Sequence, residues 1–105
     1  MNLLTEREFY KPFNYPWAFE HYKTQQHMHW LPDEVNLADD LRDYREKMSL
    51  GQKKLLSSLF RLFTQADVDV CCGYAKHYLP TFKQPEIRMM LSAFAAMEAV
   101  HQEAY

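Results

Sequence analysis

The sequence predicts an all-α fold, on three observations. Apolar residues recur at steps of three and four through the two longest patterned stretches, about 49–79 and 85–105, which is the spacing of one helix face. Only two glycines occur and β-branched residues form no run, so there is little material for hairpin turns or strands. Ser49 is followed three residues later by Gln52, a capping box that opens a helix. Two long helices with a short link are expected to pack antiparallel as part of a bundle.

Composition sets the outer limits. A chain of 105 residues with 48% hydrophobic and 15% aromatic content can build the core of one small domain. The net charge of −2, from 12 basic and 14 acidic residues without a basic cluster, argues against nucleic acid as a partner. Cys71 and Cys72 are adjacent, poor geometry for a bridge between separate elements. The N-terminus lacks the apolar core of a signal peptide, and no apolar run approaches the ~18–20 residues of a membrane span. A cytoplasmic protein that uses no membrane is the expectation. The chain stops at Tyr105 inside its strongest helical pattern, without a helix-ending glycine. Residues 1–105 are therefore read as a single incomplete domain.

Taken in order, residues 1–13 are polar and aromatic around Pro12 and are expected to run as an extended arm. Asn14 and Pro16 suggest a helix start, since asparagine caps well and proline suits the first turn. That shorter helix is expected over about 15–29, packing through Trp17, Phe19 and Tyr22, and ending before Pro32. Residues 30–48 are dense in charge and form a solvated connection with one short helix. From Ser49 a long helix carries Leu56, Phe60, Phe63, Asp67, Val70 and Tyr74 on one face until Pro80 stops it. Asp69 lies about 200° from Asp67 at 100° per residue and should face away. Residues 79–84 form the link, and Pro85 suits the first position of the last helix.

The last helix carries Ile87, Leu91, Phe94, Glu98, His101 and Tyr105 as one stripe, so a carboxylate and an imidazole are aimed inward. Such groups need a partner or a metal, because an unpaired buried polar group costs about 1–3 kcal/mol. Asp67 lies 12 residues before Leu79 and Glu98 lies 13 after Pro85. At ~1.5 Å per residue both sit roughly 18–20 Å from the turn and should meet at one level. Asp67, Glu98 and His101 are oxygen and nitrogen ligands of the kind iron and manganese accept. A helix-borne Glu-x-x-His, here Glu98 to His101, is the arrangement of ferritin-like di-metal carboxylate sites, which take further ligands from two more helices. Equally open at this point, the three side chains bond one another across the hairpin in a non-catalytic helical interaction module. His77 is about 15 Å along the helix from Asp67, too far to share a metal. His21, His27 and His29 show no ligand spacing, Cys71 reads as a small buried residue, and Met89, Met90 and Met97 read as core filler.

Several ordered features together resemble one family. They are Asp67 in Phe-Thr-Gln-Ala-Asp, Glu98 at an interval of 31, the run Glu98-x-x-His101-x-x-x-Tyr105, and Trp30-Leu31-Pro32-Asp33-Glu34-Val35 upstream. Over essentially its whole length the chain resembles the N-terminal part of the small, radical-generating subunit of class I ribonucleotide reductase. The resemblance implies a ferritin-like bundle in which Asp67, Glu98 and His101 are the first three metal ligands. It implies that Tyr105 is the tyrosine oxidised to a stable radical, that Trp30 relays an electron and proton toward the large catalytic subunit, and that Glu34 lies near the surface end of that route. The implied cofactor is a di-iron, di-manganese or manganese–iron centre formed with dioxygen. The implied function is that of a ribonucleoside-diphosphate reductase small subunit, which starts reduction of ribonucleotides to deoxyribonucleotides for DNA synthesis. The implied partners are the large subunit and a second small-subunit copy in a homodimer. A dry pocket for Tyr105 is expected from Leu91 and Phe94.

The family's remaining ligands, two glutamates and a second Glu-x-x-His histidine, are missing from these residues, as are the acid linking tryptophan to histidine and the C-terminal docking tail. The chain alone is therefore expected to be inactive, a truncated product or split half completed by a C-terminal companion polypeptide. The nearest enzymatic alternative is a related two-metal ferritin-like oxidase.

Overall fold

The structure is a computed structural model that describes residues 2–105, so Met1 of the expected arm lies outside the described residues. Its helices are α1 (Pro16–His27), α2 (Ala38–Glu46), α3 (Leu50–Gly73), the single turn α4 (Leu79–Thr81) and α5 (Pro85–Ala104). A 3-10 turn covers Pro32–Glu34 and a π-helical turn covers Tyr74–Tyr78. No strand occurs among the described residues, as the sequence predicts. None of the helices is long and apolar enough to cross a membrane.

α5 is the central element, packed by α1 and by the antiparallel α3. Ala18 of α1 meets Ile87, Met90 and Leu91 of α5 in the core, flanked by Tyr15, Tyr22, Tyr74, Leu79, Phe82 and Phe94. This core sits at the turn end of the α3–α5 hairpin and thins toward Tyr105. The α3 stripe expected to face a core is therefore covered in part only. Leu56 and Tyr74 are half-buried, whereas Phe60, Phe63 and Val70 are exposed. The reason is geometric: among the described residues α5 covers one side of α3, and periodicity names a face without supplying what buries it.

The α3 start matches the capping box. Gln52 N donates to Ser49 Oγ at 3.2 Å and Ser49 N donates to Gln52 Oε1 at 2.8 Å. Its end does not match the expected stop at Pro80. In the π turn, Leu79 N–H reaches the Tyr74 carbonyl five residues back, and winding continues through Pro80 to Thr81. The register has slipped by one residue where proline lacks its donor. The Thr81 hydroxyl donates to the His77 carbonyl, and Arg88 Nε serves the carbonyls of Leu79 and Phe82 at 3.2 and 3.0 Å. The link shortens to residues 82–84, and Pro85 opens α5 as expected.

The cap of α1 is a second correction. Asn14 does not cap with its side chain, which instead donates to Gln84 Oε1 at 2.9 Å. The backbone N–H groups of Asn14 and Tyr15 both donate to Glu86 Oε1 at 3.0 Å, so a carboxylate from α5 does the capping. α1 ends at His27, two residues before the expected boundary, with Met28 N–H closing on Thr24 O at 3.0 Å.

The arm is not a free extended strand either. Arg7 pairs with Glu86 Oε2 and donates to the carbonyls of Phe9, Tyr10 and Pro12. Gln84 Nε2 holds the Thr5 carbonyl at 2.6 Å. Gln84 and Glu86 are both fully buried, and nothing in the local sequence signals it, because their partners in the arm and at the start of α1 lie 70 or more residues away.

Burial pushes the Glu86 carboxyl pKa up, but its own backbone N–H, that of Tyr15 and the Arg7 guanidinium outweigh this and hold it below the ordinary 4.5. A lowered folded-state pKa makes the stabilisation fully present above the ordinary value and lost as pH falls through the folded one. Glu86→Ala should cost ~3–5 kcal/mol, the range for removing one partner of a buried ion pair. In urea denaturation the variant should lose stability less steeply than the wild type as pH falls below 4.5. An equal acid slope in both proteins would remove Glu86 as its source.

Candidate metal centre

Antiparallel pairing of α3 and α5 lines up side chains level by level. Tyr74 meets Phe94 with ring centroids 6.3 Å apart, and Cys71 Sγ donates to the Ala95 carbonyl at 3.7 Å. Gln102 Nε2 donates to the Asp67 carbonyl at 3.3 Å, and Tyr105 lies against Phe63 and Phe60 at 5.6 and 6.4 Å. Between these rungs, ligand atoms of Asp67, Glu98 and His101 lie within 4.8 Å of one another. The level match computed from residue counts is realised in the fold.

His101 Nδ1 lies 3.4 Å from Glu98 Oε2 and 3.9 Å from Asp67 Oδ2. The second distance is beyond a hydrogen bond. Asp67 Oδ2 is buried and has no hydrogen-bond partner. If the three groups served only to bond one another across the hairpin, this oxygen would be satisfied. A buried carboxylate oxygen without a donor, beside a second carboxylate and an imidazole, instead fits a cation. The residues present are of the right type for one side of an iron or manganese site.

The other predicted positions are distributed as follows. Trp30, half-buried in the loop after α1, has its ring centroid 6.3 Å from that of His101. Glu34 is exposed on the 3-10 turn, outside the cluster. Tyr105 has its ring centroid 6.5 Å from His101. The dry pocket expected from Leu91 and Phe94 is not its environment: Tyr105 is 48% exposed, and its neighbours are Phe60 and Phe63 of α3. Phe94 lies 11 residues back along α5, ~16 Å at helical rise, too far to cover it. Asp69 is exposed and bonds Gln65 at 3.1 Å, facing away as expected. His77 is exposed, His21 lies against Trp17, and neither joins the cluster.

Three residues near the cluster are not among the site residues read from the sequence, although Tyr74 stands on the predicted α3 face. Gln25 of α1 and Tyr74 of the π turn line a cleft of about 290 Å³ with Phe94, Met97, Glu98 and His101. Burial, followed by the Glu98 charge and neighbouring Tyr78, pushes the Tyr74 hydroxyl pKa up. Gln102 is the third. Its position one residue past His101 takes it off the predicted stripe, and its reach across the hairpin is visible only once α3 is in place.

The sequence pattern of the family described as "Ribonucleotide reductase, small chain" matches residues 7–105. The chain belongs to that family. Its relatives include the probable ribonucleoside-diphosphate reductase small subunit of Invertebrate iridescent virus 6, 45% identical over 105 residues, which are all of this chain and 29% of that protein. The corresponding protein of Invertebrate iridescent virus 3 is 43% identical over all of this chain and 28% of its own length. The ribonucleoside-diphosphate reductase small chain of Trypanosoma brucei brucei is 29% identical over 98% of this chain and 31% of its own length. The chain thus spans 28–31% of the length of these curated relatives. The all-helical hairpin is consistent with the ferritin-like bundle of the small-chain family. Small chains of this family generally bind a di-metal centre, work with a large subunit and form dimers.

The partnerless Asp67 oxygen makes the metal-free cluster a local cost to the fold. Asp67→Leu should leave the metal-free melting temperature unchanged or raise it, since it relieves a buried unsatisfied group worth about 1–3 kcal/mol. A clear drop in the thermal denaturation midpoint would mean that Asp67 is a structural partner across the hairpin.

Proposed function

We propose that the chain supplies one side of the di-metal centre of a ribonucleoside-diphosphate reductase small subunit, whose radical starts the reduction of ribonucleotides to deoxyribonucleotides. The observation that carries this reading is the buried, unpartnered Oδ2 of Asp67 beside Glu98 and His101 in a chain of the small-chain family. Asp67 and Glu98 are assigned as carboxylate ligands and His101 as the nitrogen ligand. A bound iron or manganese pair supplies the oxidising power drawn from dioxygen, and the donor types suit di-iron, di-manganese or manganese–iron alike.

Tyr105 is assigned as the residue that gives up one electron and its phenolic proton to become the radical. In support, its ring is one helical turn from His101 and lies against Phe60 and Phe63. Trp30 is assigned to carry the electron between the His101 side of the site and the large catalytic subunit, supported by its 6.3 Å approach to the imidazole. Glu34, exposed four residues further on, is assigned to the outer end of that route. A site of this class takes ligands from four helices, so the reading requires further acids and a histidine from outside these 105 residues. They come from a continuing segment or a C-terminal companion polypeptide, and the chain by itself is inactive as a reductase. The working assembly on this reading includes the large subunit and a second small-subunit copy, in the cytoplasm.

The test combines this chain with the polypeptide that supplies the missing ligands, adds ferrous or manganous ion and air, and records electron paramagnetic resonance and metal content. Wild type should give a tyrosyl radical. Tyr105→Phe should abolish the radical signal and keep the metal. No metal uptake by the completed wild-type assembly would overturn the ligand assignment, and an undiminished radical in Tyr105→Phe would overturn the role of Tyr105.

A further inference from the structure

Aromatic contacts flank the ligand cluster, with Tyr74 of the π turn on Phe94 at one end and Tyr105 on Phe63 and Phe60 of α3 at the other. Apolar burial itself is non-directional, and an aromatic pair favours a ring geometry with centroids anywhere from about 4.5 to 7 Å apart, which is a loose register. A slip of one residue moves a side chain ~1.5 Å along the axis, while metal–ligand distances tolerate only about 0.2 Å. The link at residues 82–84 sets the register at the turn, roughly 18–20 Å from the ligands, and a directional contact at their own level refines it there. The Asp67 carboxylate does not supply that contact, because its buried Oδ2 has no partner.

Among the described residues, two side-chain hydrogen bonds cross from one of these helices to the other, and they run in opposite directions. Gln102 Nε2 of α5 donates to the Asp67 carbonyl of α3 at 3.3 Å. Cys71 Sγ of α3 donates to the Ala95 carbonyl of α5 at 3.7 Å. Along α5 the two contacts bracket the cluster, Ala95 three residues before Glu98 and Gln102 one residue after His101. The amide bond is the stronger of the pair, since a thiol is a weak donor. It also falls on the residue whose side chain must arrive level with Glu98 and His101. A helical carbonyl has a second lone pair beyond its intrahelical bond, so the Asp67 carbonyl accepts Gln102 without breaking the helix.

We propose that Gln102 is a positioning residue for the metal centre: its amide anchors the α3 backbone at Asp67 and so holds the Asp67 carboxylate in register with Glu98 and His101 before any metal arrives. The proposal rests on the ligand assignment above. Its cause is preorganisation, because residues outside the coordination sphere that orient a ligand typically change metal affinity about 10–100-fold when lost.

Two variants in the assembly that carries the complete ligand set decide it. Gln102→Met keeps the length and removes the donor; Gln102→Lys keeps a donor of similar reach. Manganese(II) affinity is measured by titration, and the metal-free register by cross-helix nuclear Overhauser effects between the residue 67 and residue 101–102 regions. Gln102→Met should bind manganese about tenfold more weakly and lose or shift those effects, with Gln102→Lys close to wild type in the effects. Unchanged affinity and unchanged effects in Gln102→Met would overturn the proposal. So would a Gln102→Lys variant that loses the cross-helix effects as fully as Gln102→Met, or one that fails to fold alongside it, since the role would then be packing; its manganese affinity is not compared, because the ammonium repels the cation. If wild type binds no manganese, the ligand assignment fails and the role of Gln102 at the metal falls with it. The metal-free effects would still show separately whether Gln102 sets the helix register.

Discussion

The carboxylate of Glu86, fully buried at the start of α5, ties the N-terminal arm and the start of α1 to α5. It accepts from the N–H groups that open α1 and pairs with Arg7 of the arm, while neighbouring Gln84 holds Asn14 and Thr5. Burying a charge is tolerable only when it is paired and its lone pairs are filled, and here both conditions are met by groups far away in sequence. The consequence reaches the functional end of the molecule. With its N-terminus docked on Glu86, α1 runs along α5, which brings Gln25 to the cleft beside Glu98 and delivers Trp30, just past the helix, to the face of His101.

A second constraint operates along the hairpin. Equal distances from the turn put Asp67 level with Glu98 and His101, and the fold retains that arrangement with Asp67 Oδ2 unsatisfied. Charged ligand sets commonly work against stability in the metal-free state, since the oxygens that bind a cation are close to one another and removed from water. The hydrophobic stabilisation lies elsewhere, around Ala18, Ile87, Met90 and Leu91 at the turn end. The molecule thus separates a packed end, which holds the helices, from a more open end, where Tyr105 rests on Phe60 and Phe63.

Much of this was legible in the residues. Periodicity, the paucity of glycine and the Ser49–Gln52 box identify the helices, and counting from the turn identifies the cluster, because rise per residue is nearly invariant in an α-helix. The errors share a cause. Asn14 has the right chemistry for a cap, yet Glu86 performs the capping. Pro80 ought to stop a helix, but the π turn before it shifts the hydrogen-bond register and lets winding continue. In each case local propensity was overruled by a partner or a geometry outside the window that propensity describes.

By itself, the sequence determined the all-α class, the start of α3, the start of α5, and the spacing that brings Asp67, Glu98 and His101 to one height. These depend on near-neighbour chemistry and helical geometry, both of which are local. Tertiary structure alone decided which faces are covered, how α1 begins, that Trp30 meets His101, that Tyr105 sits between α3 aromatics instead of behind Phe94, and that Gln102 reaches Asp67. Those outcomes depend on contacts between residues far apart in the chain, and a one-dimensional pattern can announce the need for a partner without naming it.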